Sequence, residues 1–261
     1  MRIATWNVNS LAARLPRVLE WLAATRPDIL CLQETKLSDD AFPRAELARL
    51  GYAAETHGGG QWNGVAILSS LGFDDVRRGF PGEPGFPAVE ARALAATCGV
   101  VRVWSVYVPN GRTVDSPHFA YKLAWLRALR EALAAEVATS PPVAVCGDFN
   151  VAPADEDVWD PADFVGATHV TPAERAAVAA LLEIGLVDVP ARALKGDRPF
   201  TYWDYRAGNF HRGLGMRIDL VLLAAVLAER VGDAYVDREA RKGRLPSDHA
   251  PVVVDVDEAG A

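Results

Sequence analysis

The alternation of short apolar runs rich in Val and Ile with longer stretches of helical periodicity constrains this chain more than any other feature. A short β-branched run suits a strand, and apolar residues three and four apart suit a helix. The runs predict strands over Arg2–Asn7, Asp28–Gln33, Gly64–Ser69, Val89–Thr97, Val100–Val108, Pro142–Cys146, Ile218–Leu223 and Pro251–Asp255. Helical spacing predicts helices over Leu15–Thr25, Phe119–Val137 and Pro172–Ile184. Between Gly64 and Val108, Gly and Pro turns separate the strands without a helix, the pattern of an antiparallel meander. The fold class is therefore α/β: a sandwich of sheets with helices outside. No repeat or Pro, Gly and Ser-rich linker divides the chain, so one domain over residues 1–256 is expected, with 257–261 as a frayed tail.

With 261 residues, 50% of them apolar, the chain can bury a large core without staples. Cys31, Cys98 and Cys146 are an odd set in apolar runs, which points to a reducing cytoplasm rather than a disulfide framework. The first ten residues lack a leader's basic-then-apolar layout, and runs such as Leu220–Ala228 are too short to span a bilayer, so no membrane role is expected. The formal net charge of −7 argues against a polyanionic partner. Yet Arg192, Lys195, Arg198, Arg206, Arg212 and Arg217 stand together against only Asp197 and Asp204. On charge alone that segment is equally a nucleic-acid contact or a solvated loop.

Polar residues able to do chemistry recur at the ends of the predicted strands. Asn7 closes the first and Glu34 the second; Tyr107 and Asn110 close the fifth, and Asp148 and Asn150 follow the sixth. Asp219 and the pair Asp248–His249 lie instead at the starts of the last two. If those two strands run antiparallel to the others, all of these positions meet at one rim, as a rigid scaffold presents a site. Singly, each has a plainer reading: Asp148 or Asp248 as a cap, Asn7 or Asn150 as an Asx turn, Tyr107 as core, His249 as structural. Taken together, the plain readings need a run of coincidences, and the joint functional reading is preferred. With no Cys pair and no His-x-His spacing, oxygen donors dominate, so the implied cation is a hard one such as Mg²⁺, with Glu34 its best direct ligand.

Seven segments carry a resemblance to the endonuclease/exonuclease/phosphatase superfamily. They are Trp6-Asn7-Val8-Asn9, Leu32-Gln33-Glu34-Thr35-Lys36, Gly64-Val65-Ala66-Ile67-Leu68, Tyr107-Val108-Pro109-Asn110-Gly111, Gly147-Asp148-Phe149-Asn150, Arg217-Ile218-Asp219 and Ser247-Asp248-His249. The second and fourth, with Tyr121-Lys122-Leu123 and Gly215-Met216, resemble the exonuclease III branch of apurinic/apyrimidinic endonucleases.

The resemblance implies a four-layered α/β sandwich, two packed mixed sheets flanked by helices, like deoxyribonuclease I. It implies a hydrolase, expected as a monomer, that cuts double-stranded DNA 5′ to abasic sites to leave a 3′-hydroxyl. It also implies 3′-phosphatase, 3′-phosphodiesterase and 3′→5′ exonuclease activity on blocked 3′ ends. Glu34 would hold Mg²⁺, or Mn²⁺ in its place, with Asn7 and Asp248. Asp148 would orient or deprotonate water, Asn150 would hold the geometry, and His249, oriented by Asp219, would donate to a phosphate oxygen. Tyr107 and Asn110 would contact the phosphate. Tyr202, Met216 and Ile218 would form the abasic pocket, with Met216 where some relatives have Trp, and Arg212 would hold DNA phosphate. Ala12 stands where bacterial relatives carry Arg, and Asn9 where some carry Asp, so one phosphate contact and a metal role for Asn9 are not expected. The competing readings are a phosphatase or phosphodiesterase of small phosphoesters and a noncatalytic DNA-binding scaffold.

Overall fold

The computed structural model describes residues 1–139 and 141–257. The first half of the chain comprises β1 (Arg2–Asn7), α1 (Leu11–Thr25), β2 (Ile29–Gln33), α2 (Arg44–Ala48), β3 (Ala53–His57), β4 (Val65–Ser69), β5 (Asp74–Arg78), β6 (Ala93–Cys98) and β7 (Val101–Tyr107). It continues with α3 (Pro117–Val137), β8 (Val143–Asp148), α4 (Pro172–Leu182), β9 (Leu186–Asp188), β10 (Arg192–Ala193), α5 (Asn209–Arg212), β11 (Asp219–Ala224), α6 (Ala225–Ala228), β12 (Val231–Val236) and β13 (Val252–Val256). One sheet runs in the order β10-β12-β13-β1-β2-β4-β3 and the other β5-β6-β7-β8-β11-β9. Both are mixed, with β1 and β2 parallel in the first and β7 and β8 parallel in the second.

Alternation along the strands makes the layers. In β1 and β2, Ile3 and Cys31 enter the core between the sheets, where they meet Val103, Cys146 and Val221. Their neighbours Ala4, Trp6, Leu30 and Leu32 face outward onto Val18, Trp21 and Leu22 of α1. On the far sheet Trp104, Val145 and Leu222 face outward onto Trp125 and Leu129 of α3 and Val178 and Leu181 of α4. The strands are thus apolar on both faces, and each fully buried Leu or Val contributes roughly 1.5–3 kcal/mol. All three cysteines are buried and unbridged, and among the described residues no helix is long and apolar enough to cross a membrane.

Four expectations change. Helix α1 begins a turn before Leu15: Ser10 caps it by accepting from the Ala13 N–H, which leaves Pro16 inside the helix rather than at its start. The segment Gly64–Val108 is not one meander, because β4 pairs with β2 and β3 while β5, β6 and β7 form a meander in the other sheet. Glu90 and Arg92 precede the ladder, so the strand expected from Val89 starts at Ala93. Strands β3, β5, β9, β10 and β12 were not expected, for they are edge or next-to-edge strands whose exposed residues blunt the apolar pattern. The expected tail lies outside the described residues except for Asp257, whose N–H donates to the Arg230 carbonyl.

Register decides where the polar strand ends fall. β8 lies between β7 and β11, with Tyr107 paired to Asp148 on one side and Asp219 on the other. In the other sheet Asn7 pairs with Gln33, which puts Glu34 just beyond it. Because β11 is antiparallel to β8 and β13 to β1, residues at the starts of β11 and β13 reach the same rim as the ends of the others.

Close approach of β7 to β8 depends on Gly147, where a Cβ would lie 1.9 Å from the Val106 carbonyl oxygen. Backbone cannot yield as a side chain does, so Gly147→Ala is expected to lower unfolding free energy in urea by about 3 kcal/mol. A loss within experimental error of zero would show that the two strands tolerate wider spacing.

Candidate active site

Asp148 ends β8 inside the protein, where it meets groups from both sheets. Its Oδ1 accepts from the Asn150 N–H at 2.9 Å, and its Oδ2 accepts from the Asn7 amide at 2.8 Å and faces His249 Nε2 at 3.8 Å. The opposite ring nitrogen, Nδ1, is 2.8 Å from Asp219 Oδ2. Main-chain bonds fix this row: Asp219 N–H donates to Thr201 Oγ1, Trp6 Nε1 donates to the His249 carbonyl, and His249 N–H donates to Ser247 Oγ.

Electrostatics follow from that burial. Loss of water raises the proton affinity of Asp148, the Asp219 and Glu34 carboxylates add to it, and its pKa reaches about 7 although His249 opposes the shift. Burial works against a charged His249, but Asp219 and then Asp148 outweigh it and raise its pKa to about 10. Burial likewise disfavours ionised Glu34, yet Lys36 and the Asn7 amide hold its carboxyl below the usual carboxylate range. Lys36 Nζ lies 2.9 Å from Glu34 Oε2, and Asn7 Nδ2 donates to Glu34 Oε1 at 2.9 Å. Glu34, Lys36 and Asn9 all adopt left-handed backbone, with φ of 50°, 53° and 43°, a concentration of strain typical of functional rims.

These donors fit a hard cation. Glu34 and Asp148 offer carboxylate oxygens, and these lie within 4.8 Å of each other and of a ring nitrogen of His249, which as a charged imidazolium is an N–H donor rather than a ligand. Three carboxylates, Glu34, Asp148 and Asp219, lie against Lys36 or His249, Asp248 adds its charge nearby, and among the described residues the buried Oδ1 of Asp219 has no hydrogen-bond partner. Excess negative charge on oxygen donors is what Mg²⁺-class ions relieve.

Two members of the expected metal set stand differently. Asp248 Oδ1 accepts from Asn9 Nδ2 at 3.0 Å, and Asp248 is not among the Glu34–Asp148–His249 group. Asn7 turns its amide N–H₂ toward the two carboxylates while its Oδ1 accepts from the Asn9 N–H.

The remaining expected residues divide in two. Asn110 Nδ2 donates to Asn150 Oδ1 at 3.1 Å, and buried Tyr107 lies under the Arg92 guanidinium at 4.7 Å. Burial, then the Glu34 charge, push the Tyr107 phenol well above its ordinary pKa. Tyr202 sets its ring 4.9 Å from that of His249, and Met216 and Ile218 pack with it, Val158 and Ala152 in one apolar cluster. Arg212 is elsewhere, lining a cleft of about 460 Å³ with Trp159, Lys195, Arg198 and Trp203, which holds none of the site carboxylates.

The basic segment is largely committed to the fold. Arg217 forms ion pairs with Asp157 and Asp188, Arg192 with Asp233, Lys195 with Glu239 and Arg206 with Asp204. Arg198 donates to the carbonyl of Val158. Arg217, ion-paired to two carboxylates, therefore braces the Met216–Ile218 segment that leads into β11. Sequence reasoning missed His169, whose Nε2 is 3.4 Å from Asn110 Nδ2 and whose pKa is pushed down to about 3 by burial and then Lys122. A lone loop histidine carries no periodic signal. Lys36 was findable, two residues after Glu34 in a quoted motif.

A carboxylate–histidine site of hydrolytic type on the rim of a two-sheet sandwich defines the class. Residues 4–249 match the model of the Endonuclease/Exonuclease/phosphatase family, and the chain belongs to that family. It is 32% identical to exodeoxyribonuclease III of Haemophilus influenzae, over 97% of this chain and 98% of that protein. A Neisseria structure described as the 3′ phosphatase NExo bound to product DNA hairpin superposes with TM-score 0.94 at 42% identity, covering 99% of this chain and all (100%) of the other. An AP endonuclease from Archaeoglobus fulgidus superposes with TM-score 0.91 at 39% identity and the same coverage. The four-layered sandwich and the hydrolase class expected from the motifs both hold.

Because the folded pKa of His249 is raised, its protonated form adds stability that is fully present below its ordinary value near 6.5. That stability is lost as pH rises toward about 10. In chelator-treated protein, the unfolding free-energy gap between wild type and His249→Asn should therefore narrow between about pH 7 and about pH 10. A gap that stays constant would mean that His249 is neutral in the fold.

Proposed function

We propose that this chain is a Mg²⁺-dependent DNA-repair phosphodiesterase that cuts 5′ to abasic sites and clears blocked 3′ ends, Mn²⁺ serving as a substitute ion. The observation that carries this reading is the row Asp219–His249–Asp148, closed by Glu34 and Asn7 across the gap between the sheets. A bound divalent ion would supply neutralisation of the phosphate oxygens and of the leaving alkoxide.

The protein's own groups divide the remaining work. Asp148, with its raised proton affinity and its oxygens fixed by Asn7 and Asn150, accepts the proton of the attacking water. His249, kept positive by Asp219, donates from Nε2 to a phosphate oxygen as charge develops there. Asn110 and Tyr107 hold the phosphate, and the Tyr202–Met216–Ile218 cluster receives an extruded abasic sugar. A nucleotide without a base costs less to extrude than an intact one, which favours the lesion.

Full-length similarity to a 3′ phosphatase seen with product DNA favours this reading over a phosphatase of small phosphoesters. Incision of a synthetic abasic duplex, compared with dephosphorylation of the same duplex ending in a 3′-phosphate, with and without chelator, tests it. Inertness toward both DNAs alongside turnover of inositol phosphates would reverse the assignment.

Three outcomes are expected of variants. His249→Asn and Asp219→Ala should each lower turnover by on the order of 10²–10³ with DNA affinity nearly kept, since the donor acts on charge formed in the transition state. Glu34→Gln should raise the Mg²⁺ concentration needed for half-maximal rate, and an unchanged requirement would make Glu34 structural. Tyr202→Ala and Met216→Ala should narrow the preference for abasic over intact duplex. A lowered Tm with unaltered preference would assign the two side chains to packing.

A further inference from the structure

Lys122 in α3 and Glu174 in α4 form an ion pair with both side chains fully buried, at 0% exposure. Stability does not account for it, because apolar groups of similar volume commonly replace a buried pair without loss. Only a buried ammonium can do what Lys122 does next. Its Nζ donates to the carbonyl of Asn150 at 2.6 Å, to the carbonyl of Asn110 at 3.2 Å and to Thr168 Oγ1 at 3.5 Å.

Those carbonyls belong to the two asparagines whose side chains join above them, Asn110 Nδ2 to Asn150 Oδ1 at 3.1 Å. Both lie past the ends of their strands, β7 ending at Tyr107 and β8 at Asp148, so no ladder sets their backbone. The chain passes through left-handed conformations there, with φ of 90° at Gly111, 60° at Arg112 and 50° at Asn150. Glu174 ties in a third loop by accepting from the His169 N–H at 2.9 Å and Thr168 Oγ1 at 2.7 Å. It is itself locked by the capping box of α4, accepting from the Thr171 N–H while Thr171 Oγ1 accepts from its own. Lys122, foremost among its neighbours, holds the Glu174 carboxyl down at about 2 against the effect of burial.

We propose that Lys122 and Glu174 are positioning residues: their buried pair clamps three loops and fixes Asn110, which holds the phosphate, relative to Asn150, which orients Asp148. The proposal rests on the reading that Asn110 contacts the scissile phosphate and Asp148 the attacking water. An ångström of misplacement in such groups costs rate rather than affinity.

The test uses Glu174→Gln, which keeps the side-chain shape and the bond from its own N–H to Thr171 Oγ1 but turns one accepting oxygen into a donor, and Lys122→Met/Glu174→Gln, which leaves no unpaired buried charge. Each is assayed by steady-state kinetics on a 3′-phosphate duplex, with folding checked by circular dichroism and Tm. Expected is a fall in kcat of about tenfold for the single variant and on the order of 10²-fold for the double, with KM within about threefold of wild type. Adding Asn110→Ala to either should cost much less than Asn110→Ala alone, because the clamp and the asparagine act as one unit. A folded variant with wild-type kcat, or losses that simply add to those of Asn110→Ala, would overturn the positioning role. Should the double variant fail to fold, Glu174→Gln carries both readings. If wild type itself leaves every 3′-blocked and abasic DNA untouched, it is the functional reading that fails, not the clamp.

Discussion

Asp148 sits in a strand hydrogen-bonded on both sides, and most of what is unusual in this protein follows from placing a carboxylate there. A charge so far from water must be shared among donors, and the fold brings them from three directions. Asn150 arrives by the chain itself, Asn7 from the opposite sheet, and His249 across the sandwich gap with Asp219 behind it. The contact between Asn7 and Asp148 joins the rims of the two sheets. The sandwich therefore has to close in one register before the site exists at all, and the glycine beside Asp148 lets β7 approach closely enough for that register.

The same arrangement separates the proton affinities of neighbouring groups. Lys36 neutralises Glu34 locally and keeps it ionised, whereas Asp148 has two carboxylates nearby and no lysine within bonding distance among the described residues. Environment rather than residue type thus makes one carboxylate a standing anion and the other a group able to take up a proton. His249 lies between Asp148 and Asp219, and the shorter contact, 2.8 Å against 3.8 Å, shows which carboxylate orients its ring.

How much of this was legible in the sequence depended on whether a residue's role is local. Central strands were readable because residues such as Leu30-Cys31-Leu32 are buried on both faces, and no surface residue interrupts them. Edge strand β5, Asp74-Asp75-Val76-Arg77-Arg78, has the composition of a loop and becomes a strand only through pairing with β6. Asn7, Glu34, Asp148, Asp219 and His249 were legible because polar residues recur at the ends of several apolar runs, although each one alone reads as an ordinary cap or turn residue. Lys122 stood in a motif of the resemblance without its role being visible, and Glu174 and His169 look like ordinary helix or loop residues until three loops are seen to meet at one ammonium.

Charge was the least legible property, because counting left the basic segment equally a nucleic-acid contact or a solvated loop. The run from Arg192 to Arg217 looks like a basic patch in an acidic chain, yet its acidic partners come from remote segments: Asp157, Asp188, Asp233 and Glu239. Each pair removes one cation from the charge a polyanion would meet and ties a long loop to the body of the protein. Main-chain bridges from Tyr202 to Met216 and to His249 set the pocket wall itself, and the ion pairs tie the loops around it to the body of the protein. The basic residues of the segment thus reinforce a geometry that backbone pairing has already set, and a count of lysines and arginines cannot register it.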